Sequence, residues 1–562
     1  MADQDSAPED GAAAEREPSE AGGGEAQDRD AFAVEPGQVS TDDEQADEAA
    51  GTLVRGSGPI LLASVFAVAA CGIIYELLAG ALSSYLLGGS VTWFSLVIGL
   101  FLSAMGLGSF ISRFVTRRLL LVFLSAQIAI AVIGGSFALL LFSSFAVLDT
   151  YLPLLVLVLL LVGTLVGLEI PLLVRILRKQ TTLRAALGNV LALDYLGALA
   201  ASLLFPLLLL PALGLVRTGF LFGLLNAAVA GIGLHLFRRQ MRRVRLLFGM
   251  TLLVAAFLLT GLVTAGWTTT LLEDVIYDDE ILFARSTPYQ RLVLTRWHDD
   301  LRLFIDGNIQ FSTVDESRYH EALIHPAMGM LRDPRKVLVL GGGDGMAVRE
   351  ILKHDTVERV DLVDLDPEMT RLFAEVEALA ELNGHSLSDH KVRVHNADAQ
   401  KYLEQHAERY DLIVMDLPDP NKEALGKLYT RSFFRLAAKH LLPCGILVTQ
   451  STSPYFATEA FWCIVNTLRA TTLSSAGGKL FVVPYHANVP SFGEWGFTMA
   501  ALQPLATEHI RLDVPTQYLT PEMLPGLFVF PKDIGHLDTP VNRLDNQALV
   551  DLYQHGFQLF SK

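Results

Sequence analysis

Cysteine is scarce in this chain of 562 residues, which contains Cys71, Cys444 and Cys463. Three thiols at these spacings form neither a disulfide framework nor the paired pattern of a zinc site. Cys71 lies in a long apolar run and the other two have apolar neighbours, so we expect buried thiols. The start of the chain is neither basic nor apolar, and we therefore expect no secretory signal.

Basic and aromatic residues are almost missing from residues 1–54. Arg16 and Arg29 stand there against sixteen acidic residues, and the remainder is rich in Ala, Gly, Pro and Glu. Such a composition cannot bury enough apolar surface to offset chain entropy, so we predict a disordered tail. The functional alternative is that this disordered acidic segment attracts polycations.

Long polar stretches are missing from residue 59 to residue 267. Seven apolar runs of about twenty residues each predict seven membrane spans. They lie at 59–80, 91–112, 119–142, 152–174, 188–210, 217–237 and 246–267. We therefore assign residues 55–268 to a multi-pass α-helical membrane domain.

Lys and Arg are unevenly distributed among the loops of this domain. They cluster at 113–118, 175–184 and 238–245, and are nearly missing near Gly89, Asp149 and Leu213. The positive-inside rule then places the amino terminus inside, and seven spans place the rest of the chain outside.

Three acidic residues interrupt the apolar runs: Glu76, Glu169 and Asp194. Charge at membrane depth is costly, so such residues are functional candidates. Facing inward together, they would line a path for a cation. Hydrogen-bonded contacts between helices near the span ends are the alternative.

Alternating polar and apolar residues follow Trp267. Arg291–Arg296 and Leu301–Ile305 predict strands of a small antiparallel sheet, with a turn at Asp306-Gly307.

The stretch from Lys336 to Pro420 has the pattern of a doubly wound α/β fold. An apolar strand at 337–340 runs into Gly341–Gly345, a helix is predicted over 346–354, and the strand 360–366 ends in carboxylates. Glycines at such a turn let backbone approach a nucleotide, and the acid takes its ribose hydroxyls. Further strands at 392–395, 412–415 and 446–449 alternate with helical stretches at 368–382 and 429–440. This alternation predicts a mostly parallel sheet with helices on both faces.

Acidic residues at the predicted binding edge narrow the ligand class. In an ordinary methyltransferase the glycine turn faces the carboxylate of S-adenosylmethionine, which Asp344 would repel. A donor that lacks the carboxylate presents only an ammonium, which Asp344 would attract. The strand that ends at Asp416 delivers a second acid, Asp419, and this pair can hold a cationic amine and take a proton from it.

With these residues the chain resembles the spermidine synthase (polyamine aminopropyltransferase) family over roughly residues 274–505. The matching segments are Thr287–Gln290, Asp306–Gln310, Asp315–Glu321, Gly341–Gly345, Asp364–Asp366, Asp398-Ala399 and Asp416–Pro420. The resemblance implies a small antiparallel β domain followed by an α/β Rossmann-like domain of the methyltransferase type. It also implies decarboxylated S-adenosylmethionine as a co-substrate, with no metal and no permanently bound cofactor.

The resemblance gives individual residues a role. Asp416 is expected to be the catalytic base. The residues expected to bind the substrates are Gln290 near the nucleoside, Tyr319 and His320 in the amine pocket, Asp344 at the aminopropyl ammonium, Asp364 at the ribose, Asp398 with Ala399 at the adenine amino group, and Asp419 at the amine.

Three departures from the family pattern bear on which amine is accepted. Leu417-Pro418 replaces a small polar pair, residues 421–427 lack a Gly-Pro, and Phe492 stands where a pocket tyrosine is expected. Glu494 is a candidate to replace the lost hydroxyl contact.

The expected organisation is a tail over 1–54, the membrane domain over 55–268, the β domain over 269–330, the Rossmann-like domain over 331–510 and an extension over 511–562. We expect aminopropyl transfer to a diamine such as putrescine, by a multi-pass protein of the cell membrane that binds no nucleic acid. A polyamine transporter or sensor without turnover is the alternative. The distribution of Lys and Arg places the catalytic domain outside the cell, whereas its sulfonium substrate is cytosolic. The side of the membrane on which this domain lies is therefore left open. Homo-oligomerisation is also left open.

Overall fold

A computed structural model of the chain describes residues 57–87, 90–147, 150–178, 181–239, 241, 244–277, 279–473 and 478–558. The acidic tail predicted for residues 1–54 lies outside the described residues. So do Gly89 and Asp149, which entered the argument about orientation.

Helices occupy the described chain from Ser57 to Tyr277. They are α1 Ser57–Leu87, α2 Ser90–Ser112, α3 Leu119–Val147, α4 Tyr151–Leu177, α5 Leu183–Leu204, α6 Leu210–Leu236 and α7 Val244–Tyr277. By length and composition, six helical segments among the described residues could cross a membrane. The count is six because α5 and α6 are joined by a π-helical turn at Phe205–Leu209 and form one segment. Gly214 interrupts this stretch with a φ of 71°, close to the predicted loop at Leu213. The number of seven spans stays a prediction.

Small residues bring the apolar helices close together. A Cβ on Gly163 of α4 would lie 2.7 Å from the Cβ of Ala104 on α2. A Cβ on Gly223 of α6 would lie 2.7 Å from the Cα of Gly135 on α3. Backbones that approach this closely gain van der Waals contact along the helix interfaces.

A four-stranded antiparallel sheet follows the helices, as predicted. Its strands are β1 Glu280–Ser286, β2 Arg291–Trp297, β3 Asp300–Ile305 and β4 Asn308–Ser312, in the order β1-β2-β3-β4. The turn between β3 and β4 has positive φ at Asp306 (50°) and Gly307 (82°), which is the conformation that an Asp-Gly hairpin turn requires.

The predicted Rossmann-like domain is built on a seven-stranded sheet. Its strands are β5 Lys336–Gly341, β6 Arg359–Asp364, β7 Val392–Asn396, β8 Tyr410–Asp416, β9 Leu441–Gln450, β10 Phe481–Val489 and β11 Gly493–Ala501. The order is β10-β11-β9-β8-β5-β6-β7. Strands β5 to β9 pair in parallel, which confirms the prediction, whereas β10 and β11 form an antiparallel hairpin at one edge.

Helices cover both faces of this sheet. They are α8 Glu316–Met330, α9 Met346–Leu352, α10 Pro367–Glu375, α11 Glu377–Leu382, α12 Ala399–Gln405, α13 Glu423–Gly426, α14 Arg431–Ala438, α15 Thr458–Arg469 and α16 Ala548–Gln558. Val339 of β5 packs in the apolar cluster on one face, and its neighbours Leu338 and Leu340 pack in the cluster on the other. Side chains alternate along a strand, so a wholly apolar strand must be covered on both sides.

The structure corrects two predictions. Cys71 and Cys463 are buried as expected, whereas Cys444 is exposed. The single helix predicted over 368–382 is two helices, because Val376 between α10 and α11 is extended, with a ψ of 109°. The extension after residue 510 packs on both faces of the sheet, through Leu519 and Leu527 on one and Leu549 and Tyr553 on the other.

Candidate active site

One cavity of about 330 Å³ lies at the carboxyl ends of β5, β6 and β8. This is the edge at which open α/β sheets bind their ligands. All nine residues that the sequence predicts for the site line it: Gln290, Tyr319, His320, Asp344, Asp364, Asp398, Ala399, Asp416 and Asp419. Among the described residues no group of three or more His, Cys, Asp or Glu side chains is placed to hold a metal ion.

Asp416 ends strand β8 at the centre of this cavity. The Tyr319 hydroxyl donates a 2.7 Å hydrogen bond to Oδ1 of Asp416. Burial raises the pKa of Asp416 to about 6; the charge of His320 and the Tyr319 hydrogen bond oppose the rise, and the charge of Asp344 adds to it. A carboxyl that titrates close to neutral pH is suited to proton transfer.

His320 is held by an acid that sits one helical turn earlier on α8. Its Nδ1–H donates to Glu316 Oε2 at 2.8 Å, and Arg349 Nη2 donates to the same oxygen at 2.9 Å. Burial alone would lower the pKa of His320, but the hydrogen bond and charge of Glu316, with the charges of Asp344 and Asp416, raise it to about 9. The imidazole is therefore a cation at neutral pH, next to two site carboxylates.

Asp419 sits in a second set of hydrogen bonds. Tyr553 donates to its Oδ2 at 2.8 Å, and Gln450 Nε2 donates to its Oδ1 at 3.2 Å. Burial raises the pKa of Asp419 to about 6, against the hydrogen bonds from Tyr553 and Gln450. The Tyr429 hydroxyl accepts from Gln450 at 2.6 Å and lies 3.1 Å from the Leu417 carbonyl oxygen, so it supports the chain between the two acids.

The glycine turn keeps one side of the cavity open. Gly342 has a φ of 64°, and a Cβ there would lie 3.0 Å from Asp416 Oδ2. Asp364 accepts from the backbone N–H of Gly343 at 3.1 Å and of Asp366 at 2.8 Å. Burial raises the pKa of Asp364 to about 7, and the charges of Asp344 and Asp366 add to the rise.

Asp398 and Gln290 border the far end of this side. Asp398 Oδ1 accepts from the N–H of Lys401 at 3.0 Å and caps α12, while its Oδ2 lies 3.4 Å from Lys427 Nζ. Gln290 reaches the cavity from a turn that is tied to the α/β domain, because Thr287 Oγ1 donates to Asp366 Oδ2 at 2.8 Å.

The loop 421–427, which departs from the family pattern, closes over the cavity. Lys422 Nζ lies 2.9 Å from Asp306 Oδ2 in the β3–β4 turn. With the Lys427–Asp398 pair, two lysines of this loop contact carboxylates of residues that line the cavity.

Aromatic rings form the wall at the amine end. Tyr319 and Phe492 lie edge to face with centroids 6.0 Å apart, and Trp495 packs 5.1 Å from Phe492. Glu494, the candidate replacement for the missing tyrosine hydroxyl, is bonded to His486 and does not line the cavity. The structure therefore does not bring Glu494 to the amine pocket.

Comparison with known proteins decides the family. The model described as "Spermine/spermidine synthase domain" matches residues 316–509. Polyamine aminopropyltransferase 2 of Ralstonia nicotianae is 48% identical over 515 residues, covering 90% of this chain and 99% of the relative. Polyamine aminopropyltransferase of Leptospira interrogans is 44% identical over 495 residues, covering 88% and 97%. The chain belongs to the spermidine synthase (polyamine aminopropyltransferase) family.

A crystal structure of spermidine synthase in complex with the transition state analogue AdoDATO is similar to part of this chain. The two share 23% sequence identity and a TM-score of 0.40, and the match covers 45% of this chain and 86% of the crystallised chain.

Membership in the spermidine synthase family confirms the resemblance and the prediction of an aminopropyltransferase enzyme. The ordinary methyltransferase that Asp344 argues against is thereby set aside, and so is a sensor without turnover.

Sequence reasoning missed several residues that complete this aminopropyltransferase site. Gln450 ends strand β9, and the rule that ligands meet the carboxyl ends of strands was a signal for it. Glu316 lies within a matching segment but had no assigned role. Nothing local marks Tyr553, because α16 lies far along the chain from the acid that it contacts.

Proposed function

We propose that this enzyme transfers the aminopropyl group of decarboxylated S-adenosylmethionine to a diamine such as putrescine, giving spermidine and methylthioadenosine. The observation that carries the proposal is the position of Asp416. It is a carboxyl with a raised pKa that contacts Tyr319 and shares one cavity with Asp344 and Asp419.

The donor fits along the glycine turn. In the proposed complex Asp364 accepts from the ribose hydroxyls through its remaining lone pairs, and Asp398 accepts from the adenine amino group. Asp344, inside the turn, supplies the charge that an aminopropyl ammonium needs and that a carboxylate would oppose. This arrangement favours the decarboxylated donor over S-adenosylmethionine itself.

The acceptor must lose a proton before it can react, because an ammonium nitrogen has no lone pair. In the proposed step Asp416 takes that proton, and the freed nitrogen attacks the carbon next to the sulfonium sulfur. The new C–N bond forms as the C–S bond breaks, and sulfur leaves as a neutral thioether. Asp419 and Tyr319 orient the amine, which makes the step effectively intramolecular.

The positive charge on His320 affects the pH range over which Asp416 can act as a base. An imidazolium beside Asp416 lowers the pKa of that carboxyl and so keeps part of it ionised near neutral pH. Without this charge, burial would hold more of Asp416 in the protonated form, which cannot accept a proton from the amine.

We also propose that the helices α1 to α7 hold the enzyme in the cell membrane as a multi-pass protein. Their length and apolar composition support this part of the proposal.

A product assay on the full chain in detergent tests the function. The protein would receive decarboxylated or ordinary S-adenosylmethionine with a panel of mono-, di- and triamines. We expect release of methylthioadenosine with the decarboxylated donor and a diamine. Release with ordinary S-adenosylmethionine, or without any amine, would contradict the proposed donor or acceptor.

A further inference from the structure

The catalytic cavity contains one carboxylate more than the proposed reaction uses. Among the described residues that line it are six aspartates and two lysines. Five of these aspartates belong to the α/β domain, and each has a place in the proposed function. The sixth is Asp306, which reaches the cavity from the β3–β4 turn and has no role in that reaction.

The Asp306 carboxylate is held in position by the backbone of β2. Its Oδ1 accepts from the N–H of Arg291 at 2.9 Å, and its own N–H donates to the Arg291 carbonyl at 3.0 Å. Its Oδ2 accepts from the ammonium of Lys422 at 2.9 Å. The two paired side chains are 28% and 24% exposed, so water screens their charges only in part. The turn thus presents an oriented acceptor to a cation, and Lys422 occupies it.

The loop that carries Lys422 is held in place by its own backbone. The Asn421 carbonyl accepts from Gln554 Nε2 at 3.1 Å, and the Lys422 carbonyl accepts from the N–H of Gly426 at 2.8 Å. The Gly426 carbonyl in turn accepts from Asn542 Nδ2 at 3.0 Å. Both ends of the loop are therefore anchored without the Lys422 side chain, so its ammonium is available for a role other than holding the loop.

Asp306 and Lys422 lie within reach of the amine end of the cavity. Lys422 follows Asp419 by three residues, so their Cα atoms are at most about 11 Å apart. Ile305 and Ile309, on either side of Asp306 in the sequence, line the same cavity. Apolar side chains of this kind suit the methylene groups of an extended amine, and Asp306 suits an ammonium among them.

We propose that Lys422 restricts the acceptor to diamines, because it occupies the carboxylate that would bind the additional ammonium of a longer polyamine. A linear triamine carries one more ammonium than a diamine. An ammonium that leaves water needs acceptors to replace its hydration. While Lys422 pairs with Asp306, the additional ammonium meets a second cation in place of an acid.

This restriction determines where the reaction stops. Transfer of one aminopropyl group to a diamine gives a triamine, which has primary amines of its own and could accept a second group by the same step. A cavity that excludes the additional ammonium releases this product after one transfer. The inference rests on the proposed function and deepens it, since it names the residue that sets the acceptor class.

The test compares two acceptors on the full chain with decarboxylated S-adenosylmethionine as donor. The quantity measured is the kcat/KM for spermidine divided by the kcat/KM for putrescine. Lys422→Met removes the ammonium at similar length and should raise this ratio about ten-fold, the size of one hydrogen bond to a charged group. Adding Asp306→Asn to Lys422→Met should remove most of the gain, because the released carboxylate is what binds the additional ammonium.

Lys427→Met is the matched control. Lys427 belongs to the same loop and lines the same cavity, but its ammonium lies 3.4 Å from Asp398, the residue proposed to bind adenine. Its loss should leave the ratio of the two acceptors as in the wild type, whatever it does to the use of the donor.

Equilibrium binding of spermidine and putrescine, measured by calorimetry, separates this inference from the proposed reaction. The donor site is filled with decarboxylated S-adenosylhomocysteine, a thioether that keeps the aminopropyl ammonium and cannot transfer it. A gain in spermidine affinity in Lys422→Met, without turnover by any variant, would support the role of Lys422 and contradict the proposed reaction. Turnover of putrescine without any change in the ratio would do the reverse.

Three further outcomes would overturn the proposal. The wild type uses spermidine as well as it uses putrescine, a result that requires no variant to fold. Lys422→Met and Lys427→Met change the ratio equally, which would assign Lys422 a general effect on the loop. The gain in Lys422→Met persists in the double variant, which would show that Asp306 does not bind the additional ammonium.

Discussion

The hydroxyl of Tyr319 and the carboxylate of Asp416 are joined by a 2.7 Å hydrogen bond that links helix α8 to the end of strand β8. In the proposed mechanism this bond connects a residue that lines the amine pocket to the residue that takes the amine proton. Four of the predictions below concern this pair and the groups that set its charge.

Asp416→Asn should abolish turnover while leaving nucleoside binding intact. The amide cannot accept the amine proton, and general base catalysis is typically worth about 100- to 10,000-fold in rate. Single-turnover release of methylthioadenosine and equilibrium binding of methylthioadenosine would be measured together. Asp355→Asn, at an exposed position, is the control. Retained turnover in the Asp416 variant would assign the base elsewhere.

The same substitution should stabilise the ligand-free protein at alkaline pH. The pKa of Asp416 is raised from 3.8 to about 6 in the folded state, so the stability that it contributes is present below pH 3.8 and lost as pH rises through 6. An asparagine carries no charge to be buried at any pH. Melting temperatures at pH 5 and pH 8 would be compared, and the gain over wild type should be larger at pH 8. An equal gain at both values would contradict the raised pKa.

Tyr319→Phe should move the acid limb of the pH–rate profile to higher pH. The lost hydrogen bond favours the ionised form of Asp416, so its removal raises the pKa of that carboxyl. We expect kcat to fall about ten-fold near neutral pH, the size of one hydrogen bond to a charged group, and to recover partly at alkaline pH. A uniform loss at every pH would indicate a purely steric role.

Glu316→Gln should remove the positive charge of His320 at neutral pH. Glu316 contributes most to raising the pKa of His320 above 6.5 to about 9, with the charges of Asp344 and Asp416 adding to it, and its own pKa is lowered below 4.5 by His320 and Arg349 despite burial. Stability from this pair is full between pH 4.5 and 6.5 and is lost as pH rises through 9 or falls well below 4.5. The melting temperatures of wild type and variant should therefore differ most near pH 6 and converge above pH 9. Glu522→Gln, at an exposed site, should show no such pattern.

Glu321→Gln should loosen the segment that follows residue 510. The buried carboxylate of Glu321 accepts from the backbone N–H groups of Gln517 (2.6 Å), Tyr518 (2.9 Å) and Leu519 (2.8 Å). An amide has one acceptor oxygen for these three donors, so we expect a loss of roughly 2 kcal/mol. Limited proteolysis should cut near residue 517 faster than in wild type or in exposed Glu381→Gln. An unchanged cleavage rate would count against this anchoring role.

Local patterns were enough to predict the site at the carboxyl ends of β5, β6 and β8. An apolar strand followed by glycines, and apolar strands that end in Asp364 and Asp416, place their acids at one edge by periodicity and parallel pairing alone. Asp344, Asp364, Asp416 and Asp419 are the acids that these patterns indicate. The roles of Gln290, Tyr319, His320, Asp398 and Ala399 came from the resemblance to the family, and all nine residues line one cavity.

Contacts between distant segments were not predictable in this way. Glu494 stands beside Trp495, but alternation along β11 separates the two side chains, and only Trp495 lines the cavity. The hairpin of β10 and β11 was missed although Tyr485–Val489 alternates apolar and polar residues, because Pro484 lies within the run and a proline argues against a strand interior. The extended Val376 likewise breaks a stretch whose composition favours one helix.

The hydrogen bond from Tyr553 to Asp419 has a consequence for the order in which the protein becomes active. A ribosome makes the apolar helices first and the strand that carries Asp416 and Asp419 later, and Tyr553 follows after a further long stretch of chain. Until Tyr553 has been made, Asp419 lacks this hydrogen bond. The hydrogen bonds to Asp419 are therefore completed only after the apolar helices and both sheets have been synthesised.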